Sequence, residues 1–326
     1  MIKQFFDKIR PNFEEGGKLH AFRSVFEGME TFMLVPNTTS KVGVSIHDAI
    51  DSKRIMSFVV IALIPALLFG MYNIGYQNAA AAGKLAETGF WSMFLYGFLL
   101  VLPKIVVSYV VGLGIEFAVA QWKKEEIQEG YLVSGILIPL IVPVNCPLWM
   151  LALAVAFSVI ICKEIFGGTG MNIFNPALIA RAFLFFSYPT SMSGDKVWVA
   201  GKEVFGLGYN LPDAATMATP LGEVGAGLQP TASLSDMIVG LIPGSIGETS
   251  VIAIAIGALI LLYTQIASIR TMTSVFVGGV LVAVLFNMAG MEGNAVANMP
   301  WYEHIVTGGF CFGAVFMATD PVTSSR

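Results

Sequence analysis

The amino-acid sequence predicts an all-α polytopic membrane protein with broken, re-entrant helices. Three observations predict it. Of 326 residues, 56% are hydrophobic and only 12% charged, with a mean hydropathy of +0.74; a soluble globular domain carries about twice that charge, so a cytosolic enzyme is excluded. The apolar residues gather into long runs, Met56–Tyr72, Ile105–Gln121, Leu148–Cys162, Val251–Ala267 and Met272–Met288, close to the ~20 residues needed to cross a bilayer. Several runs are interrupted by Gly and Pro, and a membrane tolerates such breaks only where the freed backbone groups find other partners.

The N-terminal stretch Met1–Asn37 is amphipathic and mixed in charge, without the apolar core of a cleaved signal peptide. Residues 1–54 hold Lys3, Lys8, Arg10, Lys18, Arg23, Lys41, Lys53 and Arg54, eight of the 18 basic residues. Lys53-Arg54 abuts the first apolar run, and by the positive-inside rule this end is cytoplasmic. The expected organisation is a cytoplasmic extension, 1–54, and a transmembrane domain, 55–326.

The first span, about 55–77, crosses outward, and 90–121 returns to the basic Lys123-Lys124. From Tyr131 the chain crosses to the break Pro143-Val144-Asn145-Cys146-Pro147 and returns through 148–162 to Lys163. A span over 173–188 then leads to an outer loop, about 190–235, whose only basic residues are Lys196 and Lys202. Spans over 251–267 and 272–288 follow, and 305–318 starts back.

The interruptions share a chemistry. The Gly-rich run Gly167 to Gly170 precedes Asn175-Pro176, an N-cap followed by an N1 proline. Gly308-Gly309 leads to Asp320-Pro321, the same device 145 residues later. Broken apolar segments recurring in two halves point to an internal repeat with a site near the membrane midplane. The orphan N–H groups of such a helix start require water, protein or a ligand with acceptor atoms; a flavin's carbonyls, a substrate anion or neighbouring helices would all serve.

The net charge of −4 is spread thinly, so nucleic acid binding has no electrostatic basis. Cys146, Cys162 and Cys311 are far apart and read as buried small hydrophobes. His20, His47 and His304 are scattered, which argues against a bis-His haem. There is no P-loop, dinucleotide fingerprint or metal-ligand cluster, so the sequence offers no nucleotide or metal site of those kinds.

Asp213-Ala214-Ala215-Thr216-Met217-Ala218-Thr219 fits D-x-x-[ST]-x-A-T and is similar to the acceptor sequence of bacterial flavin transferases, which attach FMN to the last threonine as a phosphoester. Thr219 is the expected acceptor. Asp213, Thr216 and Thr219 are three residues apart, so a helical turn would place them on one face, with Ala215 and Ala218 leaving room for the enzyme. The other reading is that Pro212-Asp213 caps a short helical turn.

With this motif, further blocks carry a resemblance across nearly the whole chain: Asp51-Ser52-Lys53-Arg54-Ile55-Met56, Lys163-Glu164-Ile165-Phe166-Gly167-Gly168-Thr169-Gly170, Asn175-Pro176-Ala177-Leu178, Ile242-Pro243-Gly244-Ser245-Ile246-Gly247-Glu248 and Phe316-Met317-Ala318-Thr319-Asp320-Pro321. The chain resembles the family of B subunits of sodium-translocating NADH:quinone oxidoreductases. The resemblance implies a fold similar to that of urea and ammonium channels, in a multi-pass protein of the bacterial inner membrane. It implies covalent FMN at the outer side, non-covalent riboflavin within the helices and a quinone site toward the cytoplasm, with electron transfer coupled to sodium transport. Implied partners are a second threonine-flavinylated subunit, an NADH-oxidising subunit and a flavin transferase. Mapped onto this chain, Asn172, Asn175 and Arg181 fall in the riboflavin region, and Gly112 and Glu116 in the quinone region. The family also implies further apolar helices past Asp320-Pro321, so the chain reads as lacking its last helices.

An ionisable group inside an apolar stretch is a functional candidate by default. Glu116 is one such group, or else it lies near enough to the cytoplasmic end to reach Lys123 or Lys124. Lys104 raises the same question. Arg181 lies six residues past the Asn175 cap, where a carboxylate, a carbonyl cluster or the flavin is the expected partner. Three other readings are the D subunit of the related Rnf complex, a channel or transporter of the same fold, and a purely structural subunit.

Overall fold

The computed structural model describes residues 2–14, 17, 19, 23–34, 43, 50–123, 130–193, 197–212, 218–291 and 293–324. It is helical, with no strand among the described residues. Two short helices, α1 (Ile2–Ile9) and α2 (Arg23–Met33), precede the bundle. The bundle comprises α3 (Ser52–Ala81), α4 (Phe90–Lys123), α5 (Tyr131–Leu140), α6 (Leu148–Cys162), α7 (Pro176–Ser187), α8 (Pro189–Ser193), α9 (Pro220–Gly225), α10 (Leu234–Val239), α11 (Val251–Tyr263), α12 (Ile269–Ala289), α13 (Trp301–Val306) and α14 (Phe310–Phe312). A π-helical turn, Gly313–Met317, continues α14.

Among the described residues, four helical stretches are long and apolar enough to cross a membrane: Ser52–Ala81, Phe90–Lys123, Leu148–Phe166 and Ile269–Ala289. Phe90, Trp91 and Trp122 are exposed at the two ends of α4, where interfacial aromatics belong. Helices α3 and α4 approach at Gly75 and Gly97, where an added Cβ would fall 2.1 Å from the Met93 carbonyl oxygen and 1.8 Å from that of Met71. Small residues at such a crossing let two backbones come into van der Waals contact.

Helix α5 sits at the centre, with every residue except Leu132 buried. Its ten residues rise about 15 Å, half of a bilayer's hydrocarbon core. The break that follows is buried from Ile141 to Val144, so its carbonyls need protein partners. Leu140 O accepts from Gly247 N at 2.7 Å and Val142 O from Ile246 N at 3.3 Å. The Lys104 ammonium donates to Cys146 O. Cys146, Cys162 and Cys311 are all free and buried, as expected of small core hydrophobes.

Three expected spans are shortened, each for a local reason. The span over 173–188 begins only at Pro176, because Asn175 caps it. The one over 251–267 ends at Tyr263, where Thr264 turns its hydroxyl back onto Ile260 O at 2.9 Å. The one over 305–318 is divided at Thr307-Gly308-Gly309 between α13 and α14.

The segment 197–212 lies over the turn joining α3 to α4: Asn78 Nδ2 donates to Ala200 O at 2.7 Å and to Tyr209 O at 2.9 Å, and Tyr96 Oη donates to Lys202 O at 2.7 Å. At the opposite end of α4, Lys123 approaches Glu164 at 4.0 Å. Before the bundle, α1 and α2 pack through Phe6, Phe13 and Phe26, the last two stacked at 4.6 Å.

Candidate functional site

A cavity opens where α7, α8, α9 and the loops carrying Trp198, Glu248 and Gly309 converge. It encloses about 190 Å³ and is lined by Thr219, Arg181, Glu248, Trp198, Phe185 and Gly309, among others. Arg181 Nη1 donates to Glu248 Oε1 at 2.6 Å, the carboxylate being 10% exposed and the guanidinium 34%. Arg181 thus has the carboxylate partner that its depth in α7 demanded. The loop carrying Glu248 is pinned by its two bonds to the α5 break and by Asn73 Nδ2, which donates to Ile242 O at 2.9 Å. Gly309 makes room for the carboxylate, since a Cβ there would stand 2.7 Å from it.

Thr219 is the N-cap of α9, its Oγ1 accepting from Gly222 N at 3.1 Å. The expected helical turn through the flavin motif does not extend to its end. Thr219 has extended backbone, φ −74° and ψ 155°, because a residue before proline is pushed out of the α region and Pro220 starts α9 instead. Ala218 is likewise non-helical. Asp213 and Thr216 lie outside the described residues.

A second polar cluster joins the two capped breaks. Asn175 Oδ1 accepts from Ala177 N at 2.9 Å and Leu178 N at 3.3 Å, while the Asp320 carboxylate accepts from the backbone of Val322 and Thr323. Asn175 thereby starts α7, whereas the residues after Asp320 form a turn. The caps touch: Asn175 Nδ2 donates to Asp320 Oδ2 at 3.2 Å, and Thr323 Oγ1 donates to the same oxygen at 2.5 Å. Beside them is a cleft of about 10 Å³ lined by Asn172, Lys163, Ser134 and Asp320, room for about one water. Asn172 is half-buried and donates through Nδ2 to Phe174 O at 3.1 Å. Of the three residues expected in the riboflavin region, Asn172 and Asn175 are therefore together and Arg181 faces the other cavity.

Gly112 and Glu116 lie on the buried face of α4. A Cβ on Gly112 would fall 2.1 Å from the Tyr131 ring. Glu116 pairs with Lys163, both side chains 4% exposed, rather than with Lys123; Lys124 lies outside the described residues. Sequence reasoning passed over Glu248 and Lys163 as partners. The signal for Glu248 was present, since it is the one charged residue between Asp236 and Arg270; its pairing with an arginine 67 positions away was not.

The fold and its capped breaks thus define a polytopic helical membrane protein of the kind built from interrupted helices. Residues 39–326 match the NQR2, RnfD, RnfE family, and the chain belongs to that family. A relative from Chromohalobacter salexigens, named as the B subunit of a Na(+)-translocating NADH-quinone reductase, is 43% identical over 99% of this chain and 82% of its own length. Proteins of the same name from Pseudoalteromonas atlantica and Azotobacter vinelandii are each 41% identical, covering 99% and 100% of this chain and 84% of their own lengths.

Proposed function

We propose that this chain is the B subunit of a Na+-translocating NADH-quinone reductase, a membrane electron carrier with FMN bound covalently to Thr219. The observation that carries the reading is the position of Thr219: the last threonine of the acceptor pattern is on the wall of the 190 Å³ cavity, with Trp198, Phe185 and Arg181. Its hydroxyl already accepts a backbone N–H, which fixes the oxygen that would carry the phosphoester. Aromatic faces and a cation suit a flavin ring. The volume is below the roughly 300–1,000 Å³ of an enclosing ligand pocket, so a tethered flavin would rest partly outside it. FMN supplies a centre that accepts and releases electrons; the chain's part is to tether, orient and electrostatically bias it.

On this reading residues 1–54 are a cytoplasmic extension, the Thr219 end faces outward, and the bacterial inner membrane houses the complex. Its partners are a second threonine-flavinylated subunit and an NADH-oxidising subunit, with a flavin transferase acting on Thr219. Electrons leave toward quinone, coupled to Na+ transport. Riboflavin at Asn172 and Asn175 does not fit the one-water cleft beside them, and no step is assigned to it. Gly112 and Glu116 are buried against Tyr131 and Lys163, and no quinone step is assigned to them either.

The test is peptide mass mapping of the chain co-expressed with a flavin transferase. FMN on the peptide containing Thr219 is expected, with in-gel fluorescence under ultraviolet light that Thr219→Val abolishes and Thr216→Val leaves in place. Fluorescence that survives Thr219→Val overturns the assignment. The Rnf D subunit falls under the same family description, and the names of the relatives favour the quinone reductase.

A further inference from the structure

We propose that the Arg181–Glu248 pair sets the redox potential of the flavin at Thr219, Arg181 facing the ring and Glu248 holding Arg181 in place. The inference rests on the reading of Thr219 as the FMN acceptor and adds a positioning pair to it. Four observations carry it.

Both side chains line the same cavity as Thr219, so the pair lies within the space a tethered flavin enters. The guanidinium offers five N–H donors, and its one hydrogen bond within the described residues is the one from Nη1 to Glu248. Its partial exposure leaves the remaining donors available to a ligand's carbonyl and ring-nitrogen acceptors. Glu248 is the less exposed partner, at 10%, and the backbone just before it is tied to α3 through Asn73 and to the end of α5 and its break through Leu140 and Val142. Gly309 leaves that carboxylate its room, since a Cβ there would stand 2.7 Å from it. The result is a fixed cation with a fixed orienting anion, and preorganised charge acts most strongly where little reorganisation is needed.

The chemistry follows from sign. A flavin ring gains electron density on reduction, and a nearby positive charge favours that form, raising the potential. The adjacent carboxylate opposes this and tempers it. Removing each charge in turn should therefore move the potential in opposite directions. A pair that merely joins α7 to the loop before α11 has no reason to do so.

The experiment uses the full chain in its membrane complex, co-expressed with the flavin transferase. In-gel fluorescence measures covalent FMN, and a spectroscopic redox titration measures the component that is missing in Thr219→Val. Arg181→Gln is expected to keep the covalent fluorescence and shift that component's midpoint to a more negative value, with Arg181→Lys restoring much of the shift. Glu248→Gln is expected to move it to a more positive value, and it serves as the second reading if Arg181→Gln fails to assemble. Midpoints equal to wild type in variants that retain FMN overturn the inference while leaving Thr219 as acceptor. Shifts of the same sign in both variants also overturn it, as the mark of a general structural disturbance. Loss of covalent FMN in the Arg181 and Glu248 variants with Thr219 intact assigns the pair to recognition by the transferase instead. Absence of FMN from the wild-type peptide overturns the Thr219 reading itself.

Discussion

The two polar clusters of this membrane bundle are made from the same parts and end in opposite states. Each combines a broken helix, a capping side chain and an ion pair. At the Thr219 end the parts leave an open cavity of about 190 Å³ with a guanidinium 34% exposed. Around Asn175 and Asp320 they close on themselves: the caps bond to each other, Lys163 turns to Glu116, and a space of about 10 Å³ remains. Helix α7 connects them, because Asn175 and Arg181 are six residues, about 9 Å of helical rise, apart. The difference shows that a buried charge alone does not identify a ligand site. What separates the two is the space that the polar groups leave between them, room for about one water at one cluster and an open cavity at the other.

The largest test of that contrast is at the sealed cluster. Lys163→Met leaves Glu116 without its ammonium in a dry setting, and breaking a buried pair typically costs about 3–5 kcal/mol; the expected result is a marked fall in thermal stability of the detergent-purified protein. The double variant Lys163→Met with Glu116→Leu should recover much of the loss. If the single variant melts as wild type does, the cluster is not sealed and the comparison fails.

Next in size is Gly112→Val, which forces a side chain against the Tyr131 ring. Overpacking of a tight contact costs about 1–3 kcal/mol, seen as a lower melting temperature. Asn175→Ala removes a cap and its bond to Asp320, for about 1–2 kcal/mol, without altering covalent FMN. A loss of FMN in that variant would show that the two clusters are not separable. The smallest stability effect belongs to Thr219→Val at the open end, about 1 kcal/mol for the cap of a short helix, yet it should remove all covalent fluorescence. Open and sealed regions are thus distinguished by opposite ratios of functional to structural loss.

Much of the architecture could be read from the chain. The long apolar runs became α3, α4, α6 and α12, and the Asn175-Pro176 signal marked a helix start, whereas Asp320-Pro321 leads only into a turn among the described residues. Residues of the flavin motif were less legible as geometry, because Pro220 ends the expected helical face just where Thr219 stands. Grouping Arg181 with Asn175 followed from their nearness along the chain, whereas six positions on a helix are enough to carry a side chain into a different cavity.

Local chemistry explains what could be determined from the sequence alone. Hydropathy decides which segments enter a membrane, and proline and capping residues decide where a helix starts, since both act over one turn of backbone. The tertiary structure alone decided the partners: Glu248 for Arg181, Lys163 for Glu116, and Asp320 for Asn175. Those contacts join residues 67, 47 and 145 positions apart. A side chain in a low-dielectric interior bonds whatever polar group packing brings near, and packing is a property of the assembled bundle.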